Sequence, residues 1–259
     1  MPVAPDRPLR AATVAVLSDV HGNATALEAV LAELESVRPD LVVFGGDLTW
    51  GPEPSETLAL VKAMDVPTAF VRGNAERAVA ECTERAGGGE VESLTPRERW
   101  MVERHDDAAR AILAGFAESV VVEVEGLGAV RVCHGSPRSD EEIVTPATPE
   151  ARVREFMEGV PERVLVTAHT HLQFDREVAG IRSLNAGSVG MPYAEERGAY
   201  WALLGPDISP RRTDYDLNEA ARRYRATDDP LAEEMVSLLF SPSSPEELIA
   251  HGESLVFSG

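Results

Sequence analysis

"ATVAVLSD", Ala12 to Asp19, is the stretch on which the reading of this chain turns. Its short, apolar, β-branched run is that of a buried strand. It closes on an aspartate. The segment after it carries Leu27, Val30, Leu31 and Leu34 on one face of a helix. The pattern then repeats. "DLVVFGGD" is a second buried strand, "PSETLALVKAM" a second helix and "PTAFVRGN" a third strand. This β-α-β-α-β alternation predicts an α/β layer with parallel pairing.

Downstream the pattern changes. Gly87, Gly88 and Gly89 mark a loop, and "TPRE" offers a capping box from Thr95 to Glu98 with Pro96 at the first helical position. It predicts one long helix running to about Phe116. "SVVVEVEG", "GAVRVCHGS", "RVLVTAHTH", "QFDREVAG", "IRSLNAGS" and "GAYWALLG" then read as six strands, most separated by short turns. They predict a second, largely antiparallel sheet. The expected fold is α/β (α+β): two sheets packed together with helices outside. Residues 1–215 would form this domain, and residues 216–259 a helical extension packed on it. Within that extension "DDPLAEEM" and "SSPEELIA" have cap-then-proline starts, and "MVSLLF" reads as a buried stripe.

Composition narrows the function. The chain has 259 residues, 44% hydrophobic and 26% charged, enough for a full core. Its net charge of −20 disfavours broad nucleic-acid binding or adhesion to anionic membranes. An anionic substrate would therefore need a local positive attractor, and metal ions would supply one. Cys82 and Cys133 form neither a CxxC pair nor a disulfide framework. "MPVAPDRPLRAA" has no apolar h-region, and no run approaches the roughly 20 apolar residues that span a bilayer. These features predict a cytoplasmic protein.

Four of the six histidines, His21, His134, His169 and His171, fall at predicted strand ends. Asp19, Asp47 and Asn74 end the first three strands in turn. Three consecutive strands thus deliver a metal-capable oxygen to one sheet edge, where open α/β sheets gather their sites. The i, i+2 spacing of "AHTH" would place both imidazoles on one face of an extended segment. The set mixes oxygen and nitrogen without thiolate, which suits Mn, Fe or Zn. Seven ligands are too many for one tetrahedral ion and suit two ions that share a carboxylate. Each residue alone has a plainer reading as a turn, a cap or a core histidine; together, in this order, they point to a metal site. His105 and His251, in charged helical stretches, read as helix-surface residues. Cys133 reads as core, and "TDDPLAEE" as a solvated helix face.

"SDVHGN", "GGDLTWGP", "VRGNAE", "CHGSP", "AHTHLQF" and "NAGSVGMP" resemble the motifs of the calcineurin-like metallophosphoesterases, above all their small bacterial and archaeal phosphodiesterases. The resemblance runs from Asp19 to Gly190. It implies a four-layered αββα sandwich of two mixed sheets with a dinuclear site between them. It also implies that Asp19, His21 and His171 hold one divalent ion and Asn74, His134 and His169 the other, with Asp47 bridging. Mn is the favoured ion, with Fe, Zn or Ni as alternatives. A hydroxide shared by two ions roughly 3.5–4 Å apart would attack phosphorus in line. Arg72 could neutralise a phosphoryl oxygen, and Gly187 and Ser188 could offer backbone amides to phosphate.

The chain departs from the family pattern in three places. Ala75 stands where many relatives carry histidine or aspartate, so a proton donor is missing there. General acids contribute about 10²–10⁴-fold, so leaving groups that need no proton are expected. Ala168 replaces the glycine of "GHTH" and removes no ligand. Glu76 reads as an acid in the first turn of the next helix rather than as a partner of a ligand. The expected activity is a phosphodiesterase acting on a small phosphoester or nucleotide. Dinucleoside polyphosphate pyrophosphohydrolase is the alternative within the enzymes, and a non-catalytic scaffold the alternative outside them.

Overall fold

A computed structural model describes residues 9–255. Residues 1–8, part of the stretch that carries no apolar h-region, and the last four residues of the extension lie outside the described residues. Val14–Leu17 (β2) is buried at every position, as its unbroken apolar run requires. It pairs in parallel with Leu41–Phe44 (β3), which pairs in parallel with Thr68–Phe70 (β4). Ala24–Val37 (α1) and Pro54–Lys62 (α2) make the crossovers. Register decides where these strands deliver the chain. Leu17 lies opposite Phe44, and Phe44 opposite Phe70. The three strands therefore end level, and the residues just after them emerge at one edge.

The second half of the chain is less simply divided than its sequence predicts. Its strands are Ser119–Val124 (β5), Gly128–Cys133 (β6), Val164–Thr167 (β7), Phe174–Val178 (β8), Ile181–Asn185 (β9) and Ala199–Leu204 (β10). β10 leaves this group and joins the first sheet, antiparallel to β2, followed by Ile208–Thr213 (β11). The second sheet runs β1-β5-β6-β7-β9-β8, where β1 is Leu9–Ala11. It is mixed, not largely antiparallel: β6, β7 and β9 are parallel neighbours. The helix Glu150–Phe156 (α6) makes the β6-to-β7 crossover that a parallel pair needs.

Alternation along the strands builds the layers. Val14, Val16, Leu41 and Val43 face Val122, Val130, Val132 and Val166 of the second sheet. Ala15, Leu17, Val42 and Phe44 face the helices on the other side. Leu165 and Ile181 pack outward on Val153 and Phe156. The result is the expected αββα sandwich.

The helices bring further corrections. The long helix predicted to Phe116 is two, Pro96–Arg104 (α4) and Asp107–Leu113 (α5), because Asp106 caps the second by accepting from the Ala109 amide at 2.7 Å. The helix Asn74–Gly87 (α3) begins at the candidate ligand Asn74 itself. In the extension, Leu217–Ala226 (α7), Ala232–Phe240 (α8) and Pro245–Ser254 (α9) are helical. Pro245 follows its Ser244 cap as predicted, whereas α8 starts beyond Pro230 with no side-chain cap. Val236 and Leu239 are the buried stripe, with Phe240 exposed. "TDDPLAEE" is not all solvated: Asp229 is buried against Arg97, with 2.7 Å between Oδ1 and Nη1. Arg223 of α7 pairs with Glu28 of α1 and with Glu53, and Glu253 of α9 accepts from the Thr145 and Thr148 hydroxyls at 2.6 Å each. No described helix is long and apolar enough to cross a membrane.

Candidate metal centre

All seven predicted ligand residues follow the carboxyl ends of parallel strands. Asp19, Asp47 and Asn74 come two, three and four residues after β2, β3 and β4. His134 comes directly after β6, and His169 and His171 follow β7. The two imidazoles of "AHTH" are not on an extended segment, as their spacing predicts. Both have left-handed backbone, φ 65° and 57°, and they diverge to different clusters.

Left-handed backbone is concentrated here. Of the seven described non-glycine residues with positive φ, five are Asp19, His21, Asp47, His169 and His171. Each such residue costs on the order of 1–3 kcal/mol and persists only where its surroundings dictate it. Here the dictation comes from backbone hydrogen bonds between loops. The Asp19 amide donates to Gly46 O at 3.0 Å, that of His21 to Asp47 O at 3.0 Å, and that of Gly190 to Asp19 O at 3.0 Å. Close approach does the rest. A Cβ on Gly73 would lie 2.1 Å from Asp47 Oδ1, and one on Gly46, at φ 100°, would lie 2.6 Å from His134 Nδ1.

Asp19, His21 and His171 form one cluster and Asp47, His134 and His169 another, the potential ligand atoms of each lying within 4.8 Å of one another. Asn74 Oδ1 joins the second at 3.0 Å from His134 Nε2. Asp47 spans the two, with Oδ2 3.5 Å from His21 Nε2 and Oδ1 3.4 Å from His134 Nε2.

The tautomers are set by carbonyls. His21 Nδ1 lies 3.0 Å from Trp50 O, His134 Nδ1 2.8 Å from Gly45 O and His171 Nδ1 2.7 Å from Met191 O. A carbonyl only accepts, so Nδ1 carries the hydrogen in all three, and in a neutral ring Nε2 presents a lone pair inward. His134 Nε2, facing the Asn74 and Asp47 oxygens at 3.0 and 3.4 Å, carries a hydrogen until a cation replaces it. His21 and His171 then point two lone pairs at each other across 3.1 Å, and His171 Nε2 also faces Asp19 Oδ1 at 3.2 Å. That oxygen is buried without a hydrogen-bond partner. Two neutral rings so placed repel unless a proton or a metal ion lies between them, and the convergence of both nitrogens on an unpartnered carboxylate oxygen is a donor set that fits a metal.

The electrostatics agree. Burial lowers His21, and burial followed by the charge of His134 lowers His169 to about 4, which favours the neutral rings a metal would need. Burial would also lower His134, but the Asp47 carboxylate overrides it and raises that imidazole to about 10. Burial would raise Asp19 and Asp47, yet the facing imidazoles, His171 and His134, hold both below the ordinary carboxylate range.

Glu76 corrects a prediction. It opens α3, but its carboxylate is buried and accepts from the amides of Asp47 at 2.9 Å and of Leu48 and Gly73 at 2.8 Å each. Burial, then the charge of Asp47, pushes it up to about 7. Ala75 is buried and donates its amide to Asp47 Oδ1 at 2.9 Å.

The predicted substrate groups are placed less favourably. Arg72 pairs with Glu118 at 3.3 Å. The Gly187 amide is taken by Asn185 Oδ1 at 2.8 Å, and the buried Ser188 hydroxyl donates to Asp19 O at 2.7 Å. The Gly187 amide is thus already engaged, and Ser188 braces a ligand loop. His105, predicted on a helix surface, is buried. Sequence reasoning missed Tyr193, stacked on His171 with centroids 5.2 Å apart. Its place shortly after the "NAGSVGMP" motif is the one signal for it.

Comparison with known proteins gives a consistent picture. The model of the calcineurin-like phosphoesterase superfamily domain matches residues 13–205. No curated protein matches the chain. Among solved structures, a hypothetical protein from Pyrococcus horikoshii OT3 is similar with a TM-score of 0.77 at 21% identity, over 91% of this chain and 100% of that one. A metallophosphoesterase from Sphaerobacter thermophilus is similar with a TM-score of 0.69 at 22% identity, over 89% of this chain and 100% of that one. At these identities the likeness carries the fold.

Proposed function

Because this chain belongs to the calcineurin-like phosphoesterase superfamily, and so is a hydrolase of phosphoric esters, we propose that it is a phosphodiesterase working through two divalent ions. Asp19, His21 and His171 would hold the first ion, Asn74, His134 and His169 the second, and Asp47 would serve both. The oxygen-and-imidazole set suits Mn, Fe or Zn, and Mn is the ion proposed. When bound, the ions supply Lewis acidity toward phosphoryl oxygens and lower the pKa of water enough to give a nucleophile near neutral pH.

The chain's own residues do the positioning. Carbonyls of Gly45, Trp50 and Met191 fix the imidazoles, and Glu76 with the Ala75 amide fixes Asp47. Two carboxylates against two divalent ions leave the site net positive, which answers how a chain of net charge −20 attracts an anionic ester. Arg72 has one ion pair among the described residues, to the exposed Glu118. Such surface pairs are worth about 0–1 kcal/mol, so Arg72 is free to exchange Glu118 for a phosphoryl oxygen. Ala75 supplies an amide but no titratable group, so the substrate must carry a leaving group that departs as an anion. Aryl diesters and phosphoanhydrides meet that condition; alkyl monoesters do not.

The observation that carries this reading is the convergence of His21 Nε2 and His171 Nε2, 3.1 Å apart, on the buried, unpartnered Asp19 Oδ1. The test is a panel run with Mn, comparing bis-aryl phosphate, aryl phosphate, alkyl phosphate, cyclic nucleotides and dinucleoside polyphosphates. The reading expects the aryl diester to lead the alkyl monoester by at least about 10²-fold, the lower bound for a missing general acid. Equal rates on the two would sink it.

A further inference from the structure

Several buried polar groups near the candidate metal centre face one of the two clusters or brace a candidate ligand, as Glu76 and Ser188 do. His105 does neither, and it lies outside every motif of the family resemblance. It stands at the break between α4 and α5 and is 2% exposed. Its Nδ1 lies 2.7 Å from Met101 O, and its Nε2 lies 2.9 Å from Thr49 Oγ1. The carbonyl only accepts, so Nδ1 carries the hydrogen and Nε2 has a lone pair. The Thr49 hydroxyl must then donate to His105. Burial lowers the His105 imidazole from its ordinary value, in keeping with this neutral form.

Thr49 is itself buried, two residues after Asp47 and one before Trp50. The loop Asp47–Trp50 therefore carries two functions at once: the carboxylate that spans both clusters, and the carbonyl that sets the tautomer of His21. Three consecutive residues of it are held from outside. α3 holds the amides of Asp47 and Leu48 through Glu76, and α4 holds the hydroxyl of Thr49 through His105. Without His105 the Trp50 end of the loop would lose this anchor, and Thr49 would be left with a buried, unpaired hydroxyl.

We propose that His105 is a positioning residue of the metal centre: by accepting from the Thr49 hydroxyl it fixes the loop that presents Asp47 to both clusters and the Trp50 carbonyl to His21. The inference rests on the two-ion reading of the site. A metal site tolerates displacements of about 0.5 Å in its ligands, and loss of a partner that orients a ligand costs about 10–100-fold in metal affinity.

The test uses the full chain and Mn alone. Thr49→Val keeps the shape and removes the hydroxyl; Thr49→Ser keeps the hydroxyl. Metal-free melting temperature reports the fold, and Mn titration followed by paramagnetic resonance reports each binding step. Thr49→Val is expected to weaken the weaker Mn step about tenfold with the metal-free melt little changed, and Thr49→Ser to restore that affinity. Native-like Mn binding by Thr49→Val would overturn the proposal. Should Thr49→Val melt early, His105→Gln and His105→Leu decide together, since the Gln amide oxygen can still accept from Thr49 and leucine cannot. Mn binding about tenfold tighter in His105→Gln than in His105→Leu supports the proposal, and equal affinity in the two overturns it. Native protein that takes up fewer than two Mn ions would overturn the two-ion reading itself, and that is seen before any variant is made.

Discussion

Replacing Glu76 with alanine strips three buried amides of one shared acceptor. Those of Asp47, Leu48 and Gly73 lie 2.9, 2.8 and 2.8 Å from its oxygens. An unpaired buried donor costs about 1–3 kcal/mol, so the gross loss for three is roughly 3–9 kcal/mol. Against this, the native carboxylate is itself costly to bury, since burial and the charge of Asp47 push it up to about 7. Its removal returns part of that cost, and the net destabilisation is about 3 kcal/mol. In a chain of this size each 1 kcal/mol moves the melting temperature by about 2–4 °C, so a fall of roughly 6–12 °C is expected. Calorimetry of the metal-free protein measures it, and Mn titration shows whether Asp47 has moved. Glu76→Gln keeps one acceptor oxygen and should fall between. A Glu76→Ala protein melting within about 1 °C of native would refute the reasoning. So would a protein that melts early yet binds Mn as before, because Glu76 would then support the fold without placing Asp47.

Two other variants separate site from scaffold. Gly73→Ala puts a methyl 2.1 Å from Asp47 Oδ1, so turnover and the bridged metal site should be lost together; native kinetics would show that the loop yields more easily than its packing implies. Asp229→Ala leaves the Arg97 guanidinium buried without its anion. Breaking such a pair costs about 3–5 kcal/mol, read as a lower melting temperature with Mn affinity unchanged; a loss of Mn affinity would tie this pair to the site.

The gathering of the seven candidate residues was legible because each follows a strand end and the strands end level, a consequence of period and register. Their left-handed backbone was not legible, because it is imposed by loops from both sheets meeting. Glu76 was misread for a related reason. An acid in the first helical turn is favoured on its own account, and only the convergence of three amides from two loops shows where its carboxylate goes. His105 sits among charges typical of a surface helix. The Asp106 cap that breaks the helix and turns His105 inward was visible as "HDDAA", an acid three residues before Ala109. β10 carries the alternation of any half-buried strand, which does not say which sheet it joins. Gly187 was assigned by motif alone, and the neighbouring Asn185 side chain had already taken its amide.

Paramagnetic resonance of the Mn-titrated protein addresses the bridged two-ion centre itself. Native chain should take up two Mn ions whose spectrum is that of a coupled pair, because one carboxylate, Asp47, reaches both His21 and His134. Asp47→Ala should hold at most one ion, uncoupled, and be inactive on every ester tested. A native protein with a single uncoupled Mn, or an Asp47→Ala protein that keeps the coupled pair and its activity, would contradict the account.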